Sequence, residues 1–177
     1  MRPNITPNNH EKQLAAEDFI VSKTDTTGRI TYANRIFMDI AGYRENALLG
    51  IQHNIIRHPD MPRGVYRFMW DTLKQGEEFF GFVKNLSADG SFYWVLANVT
   101  PDYNRHGELM GYYSVRRKPP QSAINTVTRI YQQMLSIEQQ SPSKKEAPNR
   151  SMQYLEDTIK QLGVKSYTHL ILDLYGA

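Results

Sequence analysis

Residues 79–117 read Phe79-Phe80-Gly81-Phe82-Val83-Lys84-Asn85-Leu86, Ser87-Ala88-Asp89-Gly90, Ser91-Phe92-Tyr93-Trp94-Val95-Leu96-Ala97-Asn98-Val99-Thr100-Pro101-Asp102, a turn over 103–107, and Glu108-Leu109-Met110-Gly111-Tyr112-Tyr113-Ser114-Val115-Arg116-Arg117. Three runs rich in aromatic and β-branched residues are separated by short turn-forming segments. Asp89-Gly90 is a strong hairpin signal, so this stretch reads as a three-stranded antiparallel meander. Side chains alternate across a strand. Small Val95 and Ala97 share a face with Tyr93 and Val99, which leaves room for a planar ligand there. Trp94 and Leu96 then fall on the opposite face. That face is either an exposed interaction surface or covered by one of the chain's own terminal helices.

Upstream, Asp18–Thr24 and Arg29–Tyr32 read as strands joined by Asp25-Thr26-Thr27-Gly28, a second hairpin. Asn34 is a good helix cap for a segment carrying Ile36, Phe37, Ile40 and Ala41, and Gly42 stops it. A further helical turn spans Glu45–Leu49. Over Arg63–Lys74 the residues Val65, Tyr66, Phe68, Met69, Trp70, Thr72 and Leu73 fall on one arc at helical spacing. The fold expected is α+β: a five-stranded antiparallel sheet with short helices on one face, plus a C-terminal helical extension. Residues 1–17 are a flexible lead with one or two helical turns over Glu11–Glu17, and 18–118 are the main domain. Residues 119–138 hold an amphipathic helix. Residues 139–177 form a linker, a short helix and an apolar tail, outside a pocket that closes by residue 118.

The chain has 177 residues, is 40% hydrophobic and carries a formal charge of +3. No block of Lys and Arg stands out, so nucleic acid is not the expected partner. It has no cysteine, which removes disulfides, zinc–thiolate sites and thiol nucleophiles. No apolar run approaches the roughly 20 residues of a membrane span. A cytoplasmic protein is expected.

Between the two helical segments lies His53-Asn54-Ile55-Ile56-Arg57-His58-Pro59-Asp60-Met61-Pro62. Pro59 and Pro62 stiffen the backbone on either side of Asp60. Charged groups held at fixed positions suit the mouth of a pocket; a surface ion-pair cluster before a helix is the other reading. Asn85 lies within an otherwise apolar strand. It faces the pocket if Val83 does, and its carboxamide offers both a donor and an acceptor. Trp70 is either a pocket wall or ordinary core. His53 is either a ligand partner or a helix-end side chain. The cap role of Asn34 suffices to explain it, with a ligand contact as the alternative.

The order strand, strand, helices, three strands, together with Gly42-Tyr43 and Gly50, resembles a PAS sensory domain. The resemblance narrows on Asn54, Arg57-His58-Pro59-Asp60-Met61-Pro62, Met69-Trp70, Thr72-Leu73-Lys74, Gly76, Lys84-Asn85, Tyr93-Trp94-Val95, Ala97-Asn98 and Gly111-Tyr112. These residues are similar to the flavin-binding PAS domain of bacterial aerotaxis receptors, over roughly 18–118. The resemblance implies FAD as cofactor, redox or oxygen sensing as role, and Arg57, His58, Asp60, Asn85, Trp70, His53 and Asn34 as the cofactor-binding set. Arg57 and His58 would meet the pyrophosphate or ribityl chain, and Asp60 would orient them. It also implies a downstream signalling partner and a homodimer. Aerotaxis receptors continue into a membrane anchor and a signalling helix that are not visible here, so output is expected to pass through another protein or the extension.

No paired acid and base, nucleophile constellation or dinucleotide-type Gly-rich loop is present, so an enzyme is not expected. A small flavoenzyme, a cofactor-free PAS adaptor and a haem-binding PAS sensor using His53 are the competing readings.

Overall fold

The computed structural model describes residues 5–176. Its elements are β1 (Ile20–Asp25), β2 (Ile30–Ala33), α1 (Arg35–Ala41), α2 (Glu45–Leu48), a 3-10 turn (His53–Ile56), α3 (Arg63–Lys74), β3 (Phe79–Leu86), β4 (Phe92–Tyr103), β5 (Leu109–Arg117), α4 (Gln121–Gln140), α5 (Ala147–Gln161) and α6 (Tyr167–Tyr175). The strands form one antiparallel sheet in the order β2-β1-β5-β4-β3. The meander supplies one half, and pairing of β1 with β5 brings in the first hairpin. This is the expected α+β architecture.

Local chemistry fixes the ends of the elements. Asn34 Oδ1 accepts from the backbone N–H of Phe37 at 3.1 Å and of Val21 at 3.0 Å, while its Nδ2 donates to the carbonyl of Phe19 at 2.8 Å. One side chain thus caps α1 and ties it to β1. Gly42 then closes α1 in the left-handed region, at φ 72°, where a side chain would be strained.

Register sorts the sheet into two faces. Asn85 pairs with Tyr93, Val83 with Val95, Ala97 with Arg116 and Ser22 with Ser114. Tyr93, Val95 and Ala97 pack with Ile20, Phe37 and Leu48 beneath the short helices. On the other face Phe82, Trp94 and Leu96 pack with Ile124, Val127, Tyr131 and Met134 of α4. The Trp94 and Tyr131 rings stack at 6.4 Å. The second apolar face is therefore covered by the chain's own C-terminal helix. Each large side chain so buried contributes roughly 1.5–3 kcal/mol, so α4 is part of the core.

The two termini depart from expectation. Glu11–Glu17 forms no helix. Residues 8–12 lie along the β3–β4 hairpin, with Asn8 N bonded to Gly90 O, Phe92 N to His10 O and Lys12 N to Phe92 O. The backbone hydrogen bonds offered by β4 outweigh the helical propensity of a short segment. The rest of the expected lead, residues 1–4, lies outside the described residues. At the other end α4 runs to Gln140 and α5 starts at Ala147, so the connection shrinks to 141–146. The apolar tail is a helix, α6, packed on β3 through Tyr167, which contacts Phe68 and Phe79. The open edge of β3 is closed by three groups. Arg57 bridges Asn85, the Lys84 N–H donates to Met61 Sδ at 3.3 Å, and Tyr131 Oη donates to the Phe82 carbonyl at 2.9 Å. An unpaired edge would otherwise invite foreign strands.

Replacing Asn34 by Ala removes three bonds to backbone groups at once. Denaturant unfolding is expected to show a loss of about 1–3 kcal/mol.

Candidate functional site

A cavity of about 260 Å³ lies between the sheet, α3 and the 52–57 segment. Its walls are mainly apolar: Ile56, Met69, Trp70, Leu73, Val83, Ala97 and Val99. Polar groups enter from three sides. Asn85 comes from β3, Arg57 and His53 from the mouth, and Ser22, Ser114 and Arg116 from β1 and β5. The two-residue period places Val83 with Asn85 and Ala97 with Val99, which is why these four meet the cavity together.

The dominant electrostatic feature is Arg116. Its side chain is 2% exposed. The guanidinium lies over the Phe37 ring, 4.6 Å from its centroid, and Nη2 donates to Ser22 Oγ. Nε and Nη1 are buried with no hydrogen-bond partner among the described residues. Burial lowers its pKa to about 10, against a smaller opposing pull from the Tyr93 phenol. At neutral pH it keeps its charge. A buried, incompletely paired cation at a cavity wall is costly unless something anionic or acceptor-rich is received there.

His53 sits beside it. Its Nε2 is 3.2 Å from Ser22 Oγ and its ring stacks on Phe37 at 5.8 Å. Burial, followed by repulsion from Arg116, pushes its pKa down to about 3. The imidazole is neutral in the folded protein at physiological pH. Tyr93 is driven well above its ordinary range, mainly by burial, so its phenol is neutral as well.

The expected site residues divide. Arg57, His53, Trp70 and Asn85 line the cavity, and Asn85 is 3% exposed. Arg57 at the mouth lies over the Tyr66 ring at 4.2 Å and donates to the Met61 carbonyl at 3.2 Å. Trp70 meets Tyr112 edge-on at 5.2 Å. His58, Asp60 and Asn34 are not among the lining residues. Asp60 is directed to Lys84, with Oδ2 at 2.7 Å from Nζ, and its own N–H donates to His58 Nδ1 at 3.1 Å. These contacts brace the loop against β3. They do not aim charge into the cavity. Asn34 is fully engaged as the α1 cap. His58 and Asp60 entered the expected set beside Arg57, and Asn34 as a cap with a ligand contact as the alternative; the Pro-Asp-Met-Pro turn directs the first two away from the cavity and the cap geometry occupies the third.

Arg116, Ser22 and Tyr66 were missed. Two arginines follow each other in β5, one on each face, and nothing in the local pattern says which is buried. The pairing of β5 with its neighbours, Ala97 opposite Arg116 and Ser22 opposite Ser114, assigns Arg116 to the cavity side.

Half-buried His53 and buried His58, both with depressed pKa, make a pH prediction. His53, down to about 3, and His58, down to about 4 through burial and then Lys84, both bind protons in the unfolded chain near pH 6.5 but not in the folded one. The unfolded state gains protons first as pH falls, so stability is lost on acidification below 6.5. Between about pH 6.5 and 4.5, before carboxylates contribute, unfolding free energy should fall steadily, and His53→Gln should flatten that slope in urea titrations.

Residues 30–116 match the family described as PAS fold. The chain is 40% identical over 129 residues to the aerotaxis receptor of Escherichia coli, covering 73% of this chain and 25% of that protein. It is 36% identical over 97 residues to the nitrogen fixation regulatory protein of Klebsiella pneumoniae, covering 55% of this chain and 20% of that one. The chain thus spans a quarter or less of the length of these relatives. Among solved structures, a light-oxygen-voltage domain studied with a flavin analogue superimposes with a TM-score of 0.55 at 20% identity, over 63% of this chain and 83% of that one. The same fold is shared at that distance. The sheet-and-helix core of this chain belongs to the PAS family.

Proposed function

We propose that the cavity holds the ring system of FAD and that the chain is a PAS module sensing redox state or oxygen for a signalling partner. The observation that carries this reading is Arg116, a charged guanidinium whose Nε and Nη1 have no hydrogen-bond partner among the described residues, on the wall of an apolar cavity. At about 260 Å³ the cavity lies just below the roughly 300–1,000 Å³ usual for small-molecule sites. It suits a planar ring system whose phosphate-bearing remainder leaves through the mouth.

The residues fit such a ligand. Asn85 offers a donor and an acceptor to the uracil-like edge of the ring. Trp70 supplies an aromatic wall. Arg57, at the mouth, has the charge and planar fork that pyrophosphate selects. When bound, a flavin supplies reversible uptake of electrons and a proton. Arg116 then favours the more negative redox state, because a fixed cation in a low-dielectric site acts strongly. His53, held neutral, is positioned to share a hydrogen bond with Ser22.

The aerotaxis receptor and the nitrogen fixation regulatory protein are named as a receptor and a regulator, which supports a signalling role. A chain without cysteine has no thiol to form a flavin adduct, so redox change is the remaining flavin signal. A cytoplasmic homodimer is the form proposed for the module. No helix among the described residues is long and apolar enough to cross a membrane.

Purified protein should show the blue absorption band of oxidised flavin, and acid extraction should release a compound of FAD mass. A colourless protein that also fails to take up FAD on refolding would overturn the reading. Asn85→Ala should weaken FAD binding about fivefold and Arg57→Ala roughly ten- to a hundredfold, both by flavin fluorescence titration. Arg116→Gln should lower the reduction potential of the bound flavin in a spectroelectrochemical titration.

A further inference from the structure

Helix α3 has two occupied faces. One presents Tyr66, Met69, Trp70 and Leu73 to the cavity. The other is packed by the C-terminal extension. Pro62 precedes α3 and provides no side-chain cap, so the first N–H groups need acceptors from elsewhere. Glu138, in the last turn of α4, supplies them. Its Oε2 accepts from the Arg63 N–H at 3.0 Å and its Oε1 from the Gly64 N–H at 2.8 Å. A carboxylate at a helix N-terminus also meets the positive end of the helix dipole.

The same carboxylate joins α5 to this point. Ser151, wholly buried, donates from Oγ to Glu138 Oε1 at 2.7 Å. Arg63 Nη1 donates to the Lys144 carbonyl at 2.9 Å. Gly64 permits the approach. A Cβ there would lie 2.3 Å from Ser151 Oγ and 3.1 Å from both Met134 Cε and the Pro148 carbonyl. The PAS core is therefore cut to receive α4 and α5 at the head of α3.

We infer that Glu138 is a positioning residue for the cavity: it fixes the first turn of α3, and through that rigid helix the wall formed by Tyr66, Met69 and Trp70. The extension is thus part of the apparatus that shapes the site, although it lies beyond the strands that enclose it. This follows from the cavity geometry and does not depend on which ligand occupies it.

The chain has two tryptophans, one in the cavity wall and one beneath α4, so full-length protein labelled with 5-fluorotryptophan reports on both places. Glu138→Gln keeps one acceptor oxygen and Glu138→Ala keeps none. The Trp70 fluorine resonance should move in both, further in Ala than in Gln, while the Trp94 resonance stays in place. Exchange of the amides at the head of α3 should quicken about tenfold. Gly64→Ala, which leaves Glu138 intact but forces α5 away, should move Trp70 in the same way and is the second route if Glu138→Ala does not fold. A Trp70 resonance unmoved in folded variants that only melt earlier would reduce Glu138 to a structural tie and overturn the inference. So would equal movement of Trp70 and Trp94, which would mean general loosening of α4. With FAD as probe, faster release from Glu138→Gln is expected. If wild-type protein takes up no FAD, the proposed ligand fails while the fluorine spectra still decide the positioning role.

Discussion

The site depends on one burial: a guanidinium, Arg116, held 2% exposed in the sheet with Ser22 and the Phe37 ring as its contacts. Desolvating a cation costs several kcal/mol unless good partners replace the water. A hydroxyl and an aromatic face recover part of that. Two of its nitrogens, Nε and Nη1, remain without partners among the described residues, and they sit where the sheet, α1 and the cavity meet. The neutral states of His53 and Tyr93 follow from the same burial. The polarity of the cavity is thus set by the Arg116 charge on its wall and by Arg57 at its mouth, in a largely apolar enclosure.

That charge stays in place because the core around it is tightly determined. β1 and β5 are the first and last strands in chain order and neighbours within the sheet, and their pairing sets Ser22 beside Arg116. Asn34 ties α1 to β1, which keeps Phe37 under the guanidinium. On the far side of the sheet α4 covers Trp94 and Leu96, and the Glu138 node connects that cover to α3. Cavity, sheet and extension consequently share walls. Two packed routes lead away from the cavity, across the sheet to α4 and along α3 to α5.

Much of this was legible in the sequence. The period-two alternation of residues 79–117 put Ala97 and Val99 on the inner face and tied Asn85 to the side that Val83 takes, and the helical arc of 63–74 left Trp70 as pocket wall or core. Asn34 and Gly42 bounded α1 by their own cap chemistry. The rest required long-range pairing. The contact that receives Arg116 comes from Ser22, more than ninety positions away in β1, and two adjacent arginines look alike until β5 is paired with its neighbours. His58 and Asp60 read as pocket residues because they adjoin Arg57, yet a turn between two prolines sends them to Lys84 and Phe92. The extension looked like a linker with a tail because its docking partners, Gly64, Gly81 and the edge of β3, are individually inconspicuous. A Cβ at Gly81 would come within 3.1 Å of Tyr167 Oη, a constraint that only the folded chain reveals.

The most direct test of the central claim is a crystal structure of the protein with FAD. The flavin ring is expected inside the cavity, with Arg116 within hydrogen-bonding distance of it and Asn85 on its polar edge. A ring bound elsewhere, or Arg116 still bonded to Ser22 alone with the cavity filled by neighbouring side chains, would contradict it.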